Sequence, residues 1–149
     1  MPTNSRFAIA VHMMTLMANS DEECIKSEDI ARSVNTNAVV IRRLTCALSQ
    51  ADLLVSQTGP CGGSKLSRPP KDISLLEIYR AVESGALFAL HRQRPNRHCS
   101  VGKNIETVLE SVQAQLDVAV EEVLGKITLE KVLQSVDAKA DLRACEAYG

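Results

Sequence analysis

The residues best suited to recognition chemistry stand in one short stretch of the chain. Asn37 is followed by Arg42 and Arg43, and a glycine-rich stretch over residues 57–65 comes soon after them. Side-chain amides and guanidinium groups match the donor and acceptor pattern of base edges in the DNA major groove. Glycines let a backbone come close to a phosphate group. This stretch is therefore a candidate for binding double-stranded DNA.

These residues belong to a predicted helix that starts after Asn37 and ends near Ala51. Asn37 suits the N-cap because its side-chain oxygen can accept a backbone N–H. Polar groups and both arginines stay off the apolar face, which is where a DNA-reading helix needs them. An ordinary amphipathic surface helix with solvated charges is the alternative. The apolar face recurs at helical spacing and consists of Val40, Ile41, Leu44 and Leu48.

The flanking residues predict a helix-turn-helix followed by a hairpin, or wing. Ser27 is the expected N-cap of a helix to about Val34, which leaves a two-residue turn before Asn37. Strand character over residues 52–57, a glycine turn and a return strand over residues 64–67 predict the wing. We expect DNA contacts from Ser27, Thr36, Asn37, Val39, Val40, Arg42, Arg43, Thr58, Gly59, Pro60, Gly62, Gly63 and Lys65.

Two further helices complete the predicted domain. Residues 5–19 are apolar nearly all round, so this helix should be buried on more than one side. His12 lies in that run and is expected in the core, bonded to a backbone carbonyl. Another helix should start at Ser74 and present its apolar face up to Val82.

The C-terminal third predicts a helix that associates with a second copy. Asn104 is its expected cap, and it should run to about Leu124. Its apolar residues step by four and three, which is a heptad seam that a copy across a two-fold axis would bury. Thr128 should cap a short last helix to about Val136, before a mobile tail. The expected dimer interface consists of Ile105, Leu109, Val112, Leu116, Ala119 and Val123.

Charge is distributed unevenly along the chain. The formal net charge is −1. Residues 26–72 carry seven Lys/Arg against four acids, residues 87–103 carry four bases and no acid, and residues 104–149 carry nine acids against four bases. The positive charge coincides with the predicted helix and wing, as a nucleic-acid footprint would. Because the overall balance is slightly acidic, binding would rest on a local patch.

Composition excludes several other classes of protein. Hydrophobic residues make up 45% of the chain, which predicts a folded domain. Aromatic residues make up 3% and there is no Trp, so an aromatic platform for single-stranded nucleic acid is not expected. No apolar run approaches the roughly 20 residues that cross a bilayer, and no secretory leader is evident. We expect a cytoplasmic protein of a bacterial-type cell.

The five cysteines predict thiol chemistry rather than a disulfide framework. Their number is odd and no CxxC pair occurs, which argues against a structural zinc site, so we expect no cofactor. Cys99 has Arg97, His98 and Lys103 nearby in sequence, and positive charge lowers a thiol pKa. Oxidation of Cys99 could change the spacing between the two DNA-reading helices of a dimer. The alternative is that Cys99 is an ordinary loop cysteine without a sensing role. Cys61 at the wing tip is a second candidate sensor, whereas Cys46 is expected to pack inward.

The predicted fold is mainly α. A winged helix-turn-helix domain with a two-stranded wing should occupy residues 1–86, and a basic sensor loop should occupy residues 87–103. Residues 104–149 should form a long C-terminal dimerisation helix and a tail.

The order of these elements resembles the BadM/IscR/NsrR/CymR (Rrf) family of winged-helix transcriptional regulators. The resemblance covers about residues 5–124 and rests on several motifs in one order. It implies a homodimer on a pseudo-palindromic operator, with the Asn37 helix in the major groove and the wing at the minor groove. The motifs are Phe7-Ala8-Ile9-Ala10-Val11-His12, Ile30-Ala31-Arg32-Ser33-Val34, Val40-Ile41-Arg42-Arg43-Leu44, Gly59-Pro60-Cys61-Gly62-Gly63 and Leu75-Leu76-Glu77-Ile78-Tyr79-Arg80-Ala81-Val82-Glu83.

The sequence departs from the family pattern at two places. Family wings usually read Arg-Gly-Pro-Gly-Gly-Gly, whereas Thr58 and Cys61 replace the arginine and one glycine here. Loss of that arginine should weaken minor-groove contact. Iron–sulphur members of the family carry three cysteines before the long helix, and this chain has only Cys99 there. The chain therefore resembles the cluster-free, thiol-bearing members.

These features predict a homodimeric, sequence-specific DNA-binding regulator, a repressor, with thiol or redox sensing through Cys99. One alternative is a winged-helix module that binds protein, which the missing wing arginine favours. An iron–sulphur-dependent regulator is another alternative, with a mixed-ligand cluster at Cys99, His98 or His12. An enzyme using Cys99 with His98 as base is not expected, because adjacent loop residues rarely reach each other and no third orienting group is present.

Overall fold

The computed structural model describes residues 5–20, 23–60, 62–83, 85 and 87–148, and for residues 141–148 it describes only the backbone helix. The described part is mainly helical, as predicted. Its elements are α1 Arg6–Asn19, α2 Ser27–Val34, α3 Ala38–Gln50, β1 Leu54–Gln57, β2 Gly63–Leu66, a 3-10 helix Pro70–Asp72, α4 Leu75–Val82, α5 Ser100–Gly125 and α6 Leu129–Tyr148.

The chain divides into two compact units. The first contains residues 1–83 and 125–149, and the second contains residues 84–124. Residues 104–149 were predicted to form one segment, whereas the last helix of the structure belongs to the first unit.

α1 packs against four other elements of the first unit, namely α2, α4, α6 and β2. Its residues Met13 and Met14 are fully buried, which agrees with a central, largely apolar helix. The prediction for His12 was wrong. His12 is exposed, and its Nε2 lies 3.1 Å from the Ser33 hydroxyl of α2 rather than on a backbone carbonyl.

A left-handed residue makes the turn between α2 and α3. Asn35 has φ 62° and ψ 53°, and the Thr36 N–H donates to the Ala31 carbonyl at 3.0 Å. Asparagine tolerates this conformation at a helix end. Asn37 then caps α3 as predicted, with its Oδ1 accepting the Val39 N–H at 2.9 Å. Ser27 was predicted to cap α2, but it is the first helical residue, and Lys26 occupies the cap position.

The apolar face of α3 lies in the core. Ile41, Leu44 and Leu48 are buried, while Val40 is half-buried. α3 packs against α2, α4 and β1. Cys46 was expected to point inward, but it is exposed and lies 3.8 Å from the Gln50 side-chain nitrogen. The helix therefore leaves one side to solvent along its full length.

The wing is a two-stranded antiparallel sheet in which Leu54 pairs with Leu66 and Gln57 pairs with Gly63. One more residue extends it. The Ile25 N–H donates to the Ser64 carbonyl at 3.0 Å, and the Ser64 N–H donates to the Ile25 carbonyl at 2.9 Å. This backbone bridge, which the sequence did not predict, ties the wing to the segment before α2.

α4 begins with a capping box. The Glu77 N–H donates to the Ser74 hydroxyl, and the Ser74 N–H donates to a Glu77 carboxylate oxygen at 2.9 Å. Arg68 also donates to Glu77, at 2.9 Å. Partial burial raises the pKa of the Glu77 carboxyl, but the hydrogen bonds from Ser74 and Arg68 outweigh it and lower the pKa below its ordinary value. The carboxylate is thus charged at neutral pH.

α6 joins the first unit through backbone bonds as well as packing. The Leu75 N–H donates to the Ile127 carbonyl and the Leu129 N–H donates to the Ile73 carbonyl, both at 2.9 Å. Leu129 and Ile73 are fully buried. α6 extends to Tyr148, so the predicted end of the last helix near Val136 was wrong. α1 and the 3-10 helix pack against α6.

α5 is the long element of the second unit. It begins at Ser100, four residues before the predicted cap. Asn104 lies inside the helix, and its side-chain nitrogen donates to the Ser100 carbonyl at 2.7 Å. Cys99 precedes the helix and stands at its cap position. The Lys103 N–H donates to the Cys99 carbonyl at 2.9 Å, which closes the first helical turn.

Truncating Leu129 should destabilise the first unit, because a fully buried leucine leaves a cavity when it is shortened. Leu129→Ala is expected to lower the free energy of unfolding by about 2–5 kcal/mol, measured as a lower denaturant midpoint at unchanged slope. Val118→Ala is the control, because Val118 is 57% exposed and lies off the heptad seam. An equal, small effect in both variants would contradict the role of α6 in the core.

Candidate nucleic-acid interface

A groove separates α3 from the wing. Its volume is about 370 Å³ and it is open to solvent. Side chains from α2, α3 and β1 and the backbone of the wing turn form its walls. The groove residues are Lys26, Ser27, Glu28, Arg42, Thr45, Ser56, Gln57, Gly59, Gly62, Gly63 and Ser64.

The groove contains five of the residues predicted to bind DNA, and these are Ser27, Arg42, Gly59, Gly62 and Gly63. Other predicted residues do not line it. Thr36, Asn37 and Val39 stand at the start of α3, where Val39 is 46% exposed. Thr58 and Pro60 are exposed in the wing turn, and Lys65 is half-buried on β2. The structure therefore brings only part of the predicted set together in the groove.

Sequence reasoning missed part of the groove. Thr45 follows Arg42 by three residues, so the helical repeat already puts the two on one side of α3. Ser56 and Gln57 are exposed on β1, where alternation along the strand gave no clear signal. Lys26 was counted in the basic charge but not assigned to the site.

The wing glycines serve internal geometry. A Cβ on Gly63 would lie 2.5 Å from the Ile25 carbonyl oxygen, and a Cβ on Gly62 would lie 2.6 Å from the Gln57 carbonyl oxygen. Gly59 has φ +104° and open space around it, so its conformation, not crowding, favours glycine. These glycines were predicted to allow close approach to phosphate. In the structure, close packing within the wing turn requires Gly62, and the approach of β2 to the Ile25 backbone before α2 requires Gly63.

Among the described residues, Arg42 of α3 forms an ion pair and the next residue, Arg43, does not. Arg42 donates to Glu28 of α2, with Nη2 2.6 Å from Oε1. A hydrogen bond from its own backbone N–H, followed by the bond from Arg42, lowers the pKa of the Glu28 carboxyl. Glu28 is thus a carboxylate at neutral pH. Within the described residues Arg43 forms no ion pair, so its guanidinium is available to a ligand.

The base on β2 is only loosely paired. Lys65 Nζ lies 3.7 Å from Glu23 Oε1, and the Glu23 side chain is 79% exposed. An exposed pair at this distance contributes little energy, so Lys65 can exchange its partner for a phosphate.

Cys61, predicted at the wing tip, lies outside the described residues.

Cys99 caps the start of α5 in the second unit. Its thiol is exposed. Hydrogen bonds from the backbone N–H groups of Gly102 and Val101 lower its pKa below the ordinary value. The pKa of Cys99 is therefore lowered, as predicted. The cause is the backbone N–H groups at the helix start rather than the neighbouring basic side chains. A Cβ on Gly102 would lie 2.4 Å from the Asn96 carbonyl oxygen, so only glycine allows this tight start.

The heptad seam of α5 lies at the surface of the single chain. None of the described residues of α5 is buried. Val112, Leu116 and Val123 are 41%, 40% and 59% exposed. Ile105 and Leu109 are half-buried and Ala119 is exposed.

The described residues contain no cluster of three or more His, Cys, Asp or Glu side chains that could hold a metal ion. Cys99 is the only cysteine between the first unit's α4 and the end of α5. This donor set does not fit an iron–sulphur cluster, which takes four ligands per cluster. Among all the residues that the structure describes, no helix has the length and apolar character to cross a membrane.

The sequence of the chain is similar to those of known transcriptional regulators. The family described as "Rrf2: Iron-dependent Transcriptional regulator" matches residues 3–135. YwnA of Bacillus subtilis (strain 168), which carries the description HTH-type transcriptional regulator, is 45% identical over 131 residues. The match covers 87% of this chain and 96% of YwnA.

Solved structures show the same architecture. IscR from T. potens superposes with a TM-score of 0.67 at 25% identity, covering 91% of this chain and 88% of that one. CymR (YrzC), the global cysteine regulator of B. subtilis, superposes with a TM-score of 0.65 at 21% identity, covering 91% and 98%. The second likeness concerns the fold alone. The chain belongs to the Rrf2 family of transcriptional regulators and carries its DNA-binding helix-turn-helix fold.

Proposed function

We propose that the protein is a homodimeric repressor that binds a pseudo-palindromic operator and responds to oxidation of Cys99. The observation that carries the DNA-binding part is the groove between α3 and the wing, which Arg42 lines. Arg43 follows it on the exposed side of α3 and forms no ion pair within the described residues. In this proposal the protein acts in the cytoplasm of a bacterial-type cell, where its DNA target lies.

DNA binding would use the exposed side of α3. Its N-terminal residues would enter the major groove, where arginines pair with the O6 and N7 atoms of guanine. Lys65 and the wing turn would lie along the phosphate backbone, which positions the protein without reading sequence. Because the wing has Thr58 where the family usually has an arginine, base recognition would depend mainly on α3.

The dimer would form along α5. Apolar side chains that recur by four and three on one exposed helix suit a coiled-coil contact with an identical helix. A two-fold dimer presents two α3 helices to two half-sites about one helical turn of DNA apart. Sensing would act on this helix, because Cys99 stands at its first turn. Peroxide would convert the Cys99 thiolate to a sulfenic acid and be reduced to water.

The proposed function is tested with a duplex from the promoter region next to the gene, and with a scrambled duplex of the same length. Titration at two salt concentrations separates sequence-specific binding from phosphate attraction, because the logarithm of affinity falls with the logarithm of salt. Tighter binding to the promoter duplex supports a regulator. Equal affinity for both duplexes would remove the proposal of a sequence-specific regulator. If the affinity is also independent of salt, the protein-binding module is favoured instead.

Removing either arginine of α3 should weaken binding to the promoter duplex. Arg42→Ala and Arg43→Ala are each expected to lose about 1–3 kcal/mol of binding free energy if the lost contact is a base contact, while the dimer persists in sedimentation. Arg32→Ala is the matched control, because Arg32 is an exposed base on α2 paired with Asp29. If both α3 variants bind like wild type, α3 is not the recognition helix.

Oxidant should release DNA from the wild type and leave it bound to Cys99→Ser. The lowered pKa of Cys99 keeps more thiolate at neutral pH, so its reaction with peroxide should persist below the pH at which an ordinary thiol becomes protonated. Cys46→Ser is the control, since Cys46 is also exposed. Equal release from Cys99→Ser and wild type would exclude Cys99 from sensing.

A further inference from the structure

An acidic side chain stands inside the groove. Glu28 lies in the first turn of α2, and its Oε1 is 2.6 Å from Nη2 of Arg42 on α3. Both side chains line the groove between α3 and the wing. A carboxylate there repels the phosphate backbone of DNA, so it works against the attraction that basic residues provide. Glu28 therefore does not add to general affinity for DNA.

The ion pair contributes little to the fold. The side chains of Arg42 and Glu28 are 57% and 60% exposed, and water screens such pairs. α2 and α3 are held together by packing, in which Ile30 and Ile41 are fully buried. The consequence of the pair is therefore local, and it concerns where the Arg42 guanidinium lies.

The pair holds Arg42 while leaving it able to bind. A guanidinium has five N–H donors in a fixed plane, and Glu28 accepts from one nitrogen. The remaining donors can still reach a base edge. Arg43, the next residue, forms no ion pair within the described residues and so has no comparable restraint. The two arginines therefore differ in preorganisation, although they are neighbours in sequence.

We propose that Glu28 is a specificity-determining residue that positions Arg42 for a base contact and opposes binding through phosphates alone. This inference rests on the proposed DNA-binding function. A held guanidinium loses less freedom when it binds its base, which favours the correct site. The same carboxylate lowers affinity for every duplex, because the penalty near phosphates does not depend on sequence, and only the correct site offsets that penalty through the Arg42 base contact.

Substitution of Glu28 separates the two effects. Glu28→Gln removes the charge and loosens Arg42, so affinity for a scrambled duplex should rise by about two- to tenfold at low salt. The ratio of affinities for the selected and scrambled duplexes should fall by roughly fivefold or more, because the Arg42 base contact is impaired. The selected duplex is obtained from a randomised library with the wild-type protein.

Glu28→Asp is the second variant. Its carboxylate is one methylene shorter, so it keeps the negative charge and withdraws from Arg42. Affinity for the scrambled duplex should stay at the wild-type value, whereas the affinity ratio should fall. A merely structural role would not produce this pattern, and thermal melting of each variant verifies that it folds.

Asp29→Asn is the matched control. Asp29 is the next residue of α2 and is paired with Arg32, but it does not line the groove. Its substitution changes the net charge by the same amount as Glu28→Gln and should leave the affinity ratio at the wild-type value.

The outcomes distinguish this inference from the proposed function. A lower ratio in both Glu28 variants, with an unchanged ratio in Asp29→Asn, supports positioning by Glu28. If all three variants keep the wild-type ratio, Glu28 only contributes charge and the inference is overturned, while DNA binding stands. If the wild type itself does not distinguish the two duplexes, the proposed function fails and the inference fails with it.

Discussion

The burial of one face of α3 is the constraint on which the candidate interface depends. Ile41, Leu44 and Leu48 anchor this helix in the core, and their spacing decides which residues remain outside. Arg42 and Arg43 are outside because they fall between the anchors. A shift of one residue in the register of the helix would carry either Arg42 into the buried position of Ile41 or Arg43 into that of Leu44. The position of the candidate site is therefore set by hydrophobic packing before any charge takes part.

The wing depends on a second constraint, which is backbone contact with the segment before α2. Gly63 permits this contact because any side chain there would meet the Ile25 carbonyl. The two sides of the groove are consequently linked through the chain that leads into α2. Charge is then adjusted locally. Glu28 pairs with Arg42, Glu23 pairs weakly with Lys65, and Arg43 forms no ion pair with any residue that the structure describes.

Much of this could be predicted from sequence because it is local. The Asn37 cap, the Ser74 cap and the apolar repeat of α3 each follow from residues within a few positions of one another. The features that could not be predicted join distant residues. The Ile25–Ser64 bridge and the Glu28–Arg42 pair have no local pattern. Cys46 and His12 were misjudged because helical spacing defines a face but does not show where that face ends.

The return of the chain at Leu129 has a consequence for how the protein is made. Leu129 fills the core beside Ile73, and two backbone bonds tie their segments together. The ribosome synthesises residues 1–83 before residue 129, so the first unit lacks one of its core side chains until Leu129 has emerged. Folding of domains from the N-terminus onward, as each one emerges, cannot complete this unit. The first unit therefore reaches its final form only after residue 129 has left the ribosome.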